Sequence, residues 1–231
     1  MTIMMYDLAG AEDDRRFSPF CWRTRMALAH KGLDVETVPW RFTEKDKLPQ
    51  PNAGRVPVIV DNERVVHDST AIADYLEERY PDHPSLFSGE IGRALARFVQ
   101  NWTETVLLAG LIRLVVLDIH VHCAPEDQVY FRRSREERFR TTLEEVVRDR
   151  EARLPAFRAS LDPLRRTVER QDFISGKTPA YADYVVFGAL QWARAISDFE
   201  VVAADDPVRS WRGRMLDLFG GLARRPPAYG D

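Results

Sequence analysis

The patterning of this chain changes once, and that change constrains its fold more than any other feature. From Thr2 to about Pro81 short strands alternate with helices; from Ile91 onward the pattern is helical only. Ile3 to Leu8 reads as a first strand, Pro19 to Lys31 as a helix and Val35 to Val38 as a second strand. Pro57 to Val60 and Arg64 to His67 flank Asp61-Asn62-Glu63, a β-hairpin. A helix capped by Ser69 follows, with apolar residues at Ile72, Tyr75, Leu76 and Tyr80. Residues 41 to 55, with Pro49, Pro51 and Gly54, read as a connector that holds at most one short helix. The order is therefore βαβ, connector, ββα. We expect a domain at 1–82, a linker at 83–90 marked by Pro84, Ser88 and Gly89, and an all-helical domain at 91–231. In the second domain Ile91 to about His120 reads as one long helix. Arg132 to Arg170 reads as a pair or one long bent helix, with Pro155 and Pro163 as kinks. Tyr181 to Ser197 is apolar nearly all round and belongs at the buried centre; Asp206 to Ala223 closes the fold.

Composition removes several classes. A chain of 231 residues with 45% hydrophobic and 30% charged residues is an ordinary globular one. Its formal charge of −3 gives no reason to expect nucleic acid, and the twelve arginines of residues 132–170 are interspersed with eight acids, the pattern of a solvated helix laced with ion pairs. Two cysteines, Cys21 and Cys123, exclude a disulfide framework and fit a reducing compartment. No basic segment followed by an apolar run opens the chain, so no signal peptide and a cytoplasmic location are expected. Val106 to Leu117, the longest apolar stretch, is broken by Gly110 and Arg113 and reads as too short to span a bilayer.

The chemistry gathers at Ser18-Pro19-Phe20-Cys21-Trp22-Arg23. Ser18 is a favourable N-cap, and Pro19 at the first helical position lacks an amide that would be unpaired anyway. The helix stops at Gly32, with His30 and Lys31 near its negative end. A strand feeding such a helix start brings amides, a positive dipole end and a hydroxyl to one point, which suits an anion or a thiolate; a plain cap uses the same residues. Three more features accompany it. Pro57 opens a strand within Arg55-Val56-Pro57-Val58-Ile59-Val60, marking an edge or a bend. His67-Asp68-Ser69-Thr70 places a carboxylate and a hydroxyl at a helix start, where they hold a ligand's ammonium and carboxylate or only cap the helix. Pro179-Ala180-Tyr181-Ala182-Asp183 starts the buried helix with an acid in its first turn. Cys21 stands where the second member of a Cys-x-x-Cys pair would stand, a position that is normally shielded, and Tyr6 lies within its strand as core. His120-x-His122-Cys123 diverges on a helix and has no fourth ligand, so no metal site is expected.

In this order and at these separations the motifs resemble the glutathione transferase family over essentially the whole chain. Ser18 through Thr24, His30-Lys31-Gly32, Val56 through Asp61, Leu117-Asp118, Ser134-Arg135-Glu136 and Ala182-Asp183-Tyr184 look closest to its bacterial β-etherase branch and the fungal relatives. The resemblance implies a thioredoxin-like α/β domain with a mixed four-stranded sheet, then a helical bundle. It implies glutathione as co-substrate, no metal, a homodimer and a hydrophobic, aromatic electrophile as partner. Ser18 would hydrogen-bond the glutathione sulfur and favour its thiolate. Val56, before a cis Pro57, would pair with the cysteinyl unit; Asp68 and Ser69 would hold the γ-glutamyl group; Lys45 would meet the glycyl carboxylate, with Arg41, Lys47 and Gln50 as competitors. The acceptor pocket would draw on Phe20, Leu107, Leu111, Tyr130 and Trp192, which read equally as core. Two departures stand out. Ala180 replaces the hydroxyl residue that usually caps the buried helix, a change that typically costs about 1 kcal/mol, so lowered local stability is expected. The loop at 9–17 is longer and more charged than in most of the family. A non-catalytic protein that binds glutathione and aromatic compounds, and a thiol reductase working through Cys21, are the alternatives.

Overall fold

The computed structural model describes residues 2–52 and 54–230. Strands β1 (Ile3–Leu8), β2 (Val35–Trp40), β3 (Val58–Asp61) and β4 (Arg64–His67) form one mixed sheet in the order β2-β1-β3-β4. β1 and β2 are parallel; β3 is antiparallel to both β1 and β4. Helices α1 (Pro19–His30) and α2 (Ser69–Arg79) complete the thioredoxin-like half. Along β1, Ile3 and Met5 are buried and Met4 and Tyr6 half-buried, the alternation a pleated strand imposes. β2 runs two residues past Val38, through Pro39 to Trp40. It is an edge strand, where the amide missing from proline breaks no ladder bond. The cap of α2 is Asp68 and not Ser69: one oxygen of its side chain accepts from the amides of Thr70 and Ala71 at 2.8 and 3.1 Å. A carboxylate reaches two orphan amides where a serine hydroxyl typically serves one.

The helical half begins at Glu90. Helix α3 (Glu90–Trp102), a π-helical turn at Thr103–Leu108 and α4 (Ala109–His122) run as one helix of 33 residues. Its most apolar 18-residue window has a mean hydropathy of 1.7, so by length and composition it could cross a membrane, contrary to the reading from Gly110 and Arg113. In the fold it is a bundle helix, with α4 packed on α6 (Leu143–Val147), α7 (Arg150–Ser160) and α9 (Tyr181–Ile196). The expected pair over 132–170 is instead the end of α5 (Pro125–Phe139) followed by α6, α7 and α8 (Asp162–Val168). Arg140 turns left-handed at φ 56°, and Thr142 caps a new helix, which ends α5. Pro155 lies inside α7, while Pro163 opens α8, where its missing amide costs nothing. α10 (Pro207–Gly221) changes direction at Leu218–Gly220.

Every residue of α9 is buried, as its apolar girth requires. α9 packs chiefly on α1, and Gly188 permits it: a Cβ there would sit 2.3 Å from the Pro19 carbonyl oxygen. The start of α9 keeps the half of the capping box that Asp183 supplies. The Ala180 carbonyl accepts from the Asp183 amide at 2.9 Å, and the Asp183 carboxylate accepts from the amides of Ala180, Ile174 and Ser175 and from Trp211 Nε1 at 2.7–3.2 Å. Four donors converge on one buried acid at this helix start.

Candidate functional site

The strand register alone assembles the site. Tyr6 on β1 pairs with Val58 on β3, and Val58 pairs with His67 on β4. The exit of β1, the entry of β3 and the exit of β4 therefore lie at one end of the sheet. Trp40 ends β2 at the same end, opposite Leu8. Ser18, Val56-Pro57, Asp68 and Lys45 all follow or precede these strand ends.

Ser18 is the N-cap of α1, 4% exposed, and its hydroxyl oxygen accepts from the Cys21 amide at 3.2 Å. With an acceptor lone pair so used, the hydroxyl proton is available to a group beyond the helix. Cys21 is fully buried. Burial, and then the neighbouring Asp7 carboxylate, push its thiol well above the ordinary value. Asp7 is itself pushed up by burial, against the pull of Arg25 and Arg16, each 3.4 Å away. The thiol thus stays protonated beneath the site.

Val56-Pro57 is a cis peptide, and the Pro57 carbonyl accepts from the Asp68 amide at 3.3 Å, tying the second and third elements together. Asp68 is exposed and adopts φ 74°, a left-handed conformation that costs a non-glycine residue about 1–3 kcal/mol. Ser69 is buried in the first turn of α2, its carbonyl accepting from the Tyr181 hydroxyl at 2.8 Å. Lys45 is exposed, with Nζ 5.1 Å from the centre of the Tyr130 ring. Its competitors are engaged elsewhere: Arg41 binds the carbonyls of Gly10 and Ala11 and the carboxylate of Asp13, and Lys47 binds Glu44. Gln50 is exposed.

The expected pocket residues divide. Phe20 is 36% exposed at the start of α1, and Tyr130 is half-buried beside Lys45. Leu107 and Leu111 are 0% exposed and belong to the core of the bundle, a correction: both point into the helix packing and line no open cleft. Trp192 is also a core residue, at 8%. A surface groove lined by His120, Gln128, Arg132 and Glu136 shares no residue with the predicted site.

Several contributors carry no local sequence signal. Fully buried Arg23 pairs with Glu104 at 2.8 Å and lies over the Phe20 ring. Glu104 accepts from Gln100, and Gln100 accepts from the Thr70 hydroxyl, both at 3.0 Å, so the starts of α1 and α2 are joined through the π-helical turn. Asp127 on α5 accepts from the amides of Phe42 and Thr43 at 2.9 Å, fixing the exit of β2. The charged loop is stapled: Ala9 bridges Arg16, Trp22 Nε1 donates to the Arg16 carbonyl, and Arg15 reaches the Ala195 carbonyl across the domains.

Comparison with known proteins gives the same family over both halves. Residues 14–84 match the glutathione S-transferase N-terminal domain and residues 94–220 the glutathione S-transferase C-terminal domain. The chain is 46% identical over 70 residues to a zeta-class glutathione S-transferase of Euphorbia esula, covering 28% of this chain and 31% of the relative. It is 45% identical over 82 residues to a probable maleylacetoacetate isomerase of Caenorhabditis elegans, covering 34% and 38%. The matched stretch thus spans about a third of these curated relatives. Among solved structures, a glutathione S-transferase of Ceriporiopsis subvermispora in complex with glutathione superposes with a TM-score of 0.78 at 22% identity, covering 94% of this chain and 96% of that one. The glutathione transferase GSTFuA3 of Phanerochaete chrysosporium gives 0.75 at 26% identity, covering 96% and 92%.

Proposed function

This chain belongs to the glutathione S-transferase family, and from that premise we propose that it joins glutathione to a hydrophobic, aromatic electrophile, with β-aryl ether cleavage as the specific reaction. The observation that carries this reading is Ser18, a hydroxyl whose oxygen already accepts from the Cys21 amide at the positive end of α1. A free thiol has a pKa of about 8.5; a hydroxyl donor and a helix N-terminus both lower it. Ser18 donates to the sulfur and steadies its charge. Val56 offers its backbone beside cis Pro57, and the exposed Asp68 carboxylate meets the γ-glutamyl ammonium, with Ser69 beside it. Lys45 serves the glycyl carboxylate. Bound glutathione supplies a thiolate that displaces a leaving group: a carbon–sulfur bond forms, the carbon–oxygen bond breaks, its electron pair leaves with the phenolate, and the thiol proton passes to water. The buried, protonated Cys21 gives the reductase alternative no nucleophile.

Titration calorimetry with glutathione, beside turnover of aryl halides and β-aryl ethers, tests the reading. Asp68→Asn keeps an N-cap and removes the charge, so it separates binding from folding. We expect it to weaken glutathione binding about tenfold, the scale of one charge-assisted bond. Unchanged affinity would remove Asp68 from the site. Binding without turnover of any electrophile would make the protein a glutathione-binding one that conjugates nothing.

The proposal includes a homodimer. Ile91, Leu95 and Phe98 are 80, 60 and 71% exposed on α3, at the 4-and-3 spacing of a helix seam. Light scattering at micromolar concentration is expected to give twice the 26.6 kDa chain mass, and Phe98→Glu to give the single mass. A wild-type mass near 26.6 kDa would refute the dimer.

A further inference from the structure

The helical half brings one cation to the site region that no carboxylate answers. Arg135 on α5 lies half-buried, its guanidinium 4.6 Å from the centre of the Phe131 ring and 5.5 Å from that of Phe42. It donates to the Ser134 hydroxyl at 2.9 Å, and among the described residues no Asp or Glu lies within ion-pairing distance of it. On the same arginine-rich stretch Arg132 is answered by Glu136 and Glu144, and Arg150 by Asp118. The nearby acid Asp127 is already bonded to the amides of Phe42 and Thr43 and to the Thr43 hydroxyl. Arg138 and Arg55 add positive charge around Arg135, and burial pushes its guanidinium down. Desolvating a guanidinium is unfavourable unless an anion meets it; stacking on rings offsets only part of that cost.

The cation assigned above to the glycyl carboxylate, Lys45, belongs to the same aromatic cluster. Lys45 lies over Tyr130 and is in no ion pair among the described residues. Phe42 is the hub: its ring is 6.3 Å from Tyr130, 5.6 Å from Phe131 and 6.3 Å from Phe17, the residue before Ser18. Arg135 and Lys45 therefore share one aromatic cluster, which reaches through Phe17 to the segment that leads into Ser18.

From this juxtaposition we propose that Arg135 forms a carboxylate subsite for the acceptor, beside the Lys45 that serves glutathione, so that the electrophile is an aromatic carboxylic acid whose ring packs against Phe42 and Tyr130. The planar guanidinium fork matches a carboxylate in two parallel bonds, which a lysine in its place would not reproduce. The inference rests on the reading of Ser18 as the reaction centre. The glycyl end of glutathione carries the same chemistry, and the experiment separates the two sources.

The test is calorimetric binding of 4-methyl-3-nitrobenzoate and of its methyl ester, neither of which reacts, to the glutathione-saturated full-length protein. Wild type is expected to bind the acid about tenfold more tightly than the ester, the scale of one charged hydrogen bond. Arg135→Gln is expected to abolish that preference, leaving the ester and glutathione itself within about threefold; Arg135→Lys keeps part of the preference. Equal affinity of wild type for acid and ester would overturn the proposal. So would equal weakening of both ligands by Arg135→Gln, which marks a packing role. A loss confined to glutathione would assign Arg135 to the glycyl carboxylate and also overturn it. Because binding is read without turnover, an inactive protein that still shows the Arg135-dependent preference would sink the conjugation reading alone.

Discussion

Asp183→Ala is expected to destabilise the protein by about 3 kcal/mol, the cost of leaving four hydrogen-bond donors without the buried carboxylate they share. The Asp183 side chain is 0% exposed and accepts from Ile174, Ser175, Ala180 and Trp211, so alanine leaves three amides and an indole without a partner. The effect reaches the site through α9, on which α1 and hence Ser18 rest. Urea unfolding of the two proteins measures it as a shift of the midpoint at constant slope. Asp183→Asn keeps one acceptor oxygen and should fall between them. A loss under about 1 kcal/mol for alanine would show that water or a relaxed backbone replaces the acid.

The sheet was legible because its strands are short and punctuated. Asn62-Glu63 separates β3 from β4, Gly32 ends α1, and β1 is bounded as the sequence suggests. Once the strands are placed, their pairing sets Ser18, Val56 and Asp68 at one end with no further information. The extension of β2 through Pro39 to Trp40 was not legible, since proline is tolerated in a strand only at the sheet edge, and edge position is a property of the whole fold. The cap of α2 was displaced by one residue because aspartate and serine, adjacent at 68 and 69, are both good caps.

The acceptor side was less legible, and for a physical reason. Leu107 and Leu111 lie on a helix apolar over a broad arc, where periodicity cannot tell the arc facing a cleft from the arc facing the bundle. Glu104 is recognisable only through Arg23, 81 positions away. Arg135 sits among twelve arginines of one stretch; what distinguishes it is a ring from Phe42, on the other half of the chain. Ala180 shows the converse. The missing cap hydroxyl is visible in the sequence, but the donors that gather on Asp183 come from segments as distant as Trp211.

The central claim is that Ser18 steadies a thiolate and that Cys21 takes no part. Both stand on the first turn of α1, three residues apart, yet the hydroxyl caps the helix and the thiol is buried and held protonated. A serine suits conjugation because it stabilises the sulfur and never bonds to it, whereas a cysteine there would form a mixed disulfide. Removing a preorganised anion donor typically costs about 2.7–4 kcal/mol, less where helix amides share the task. The most direct measurement is steady-state conjugation of one aryl electrophile by Ser18→Ala and Cys21→Ala, beside reduction of a small disulfide. The account predicts at least a tenfold fall in rate for Ser18→Ala with glutathione affinity little changed, and a rate within about threefold for Cys21→Ala. Activity abolished by Cys21→Ala and spared by Ser18→Ala would contradict it and put a thiol reductase in its place.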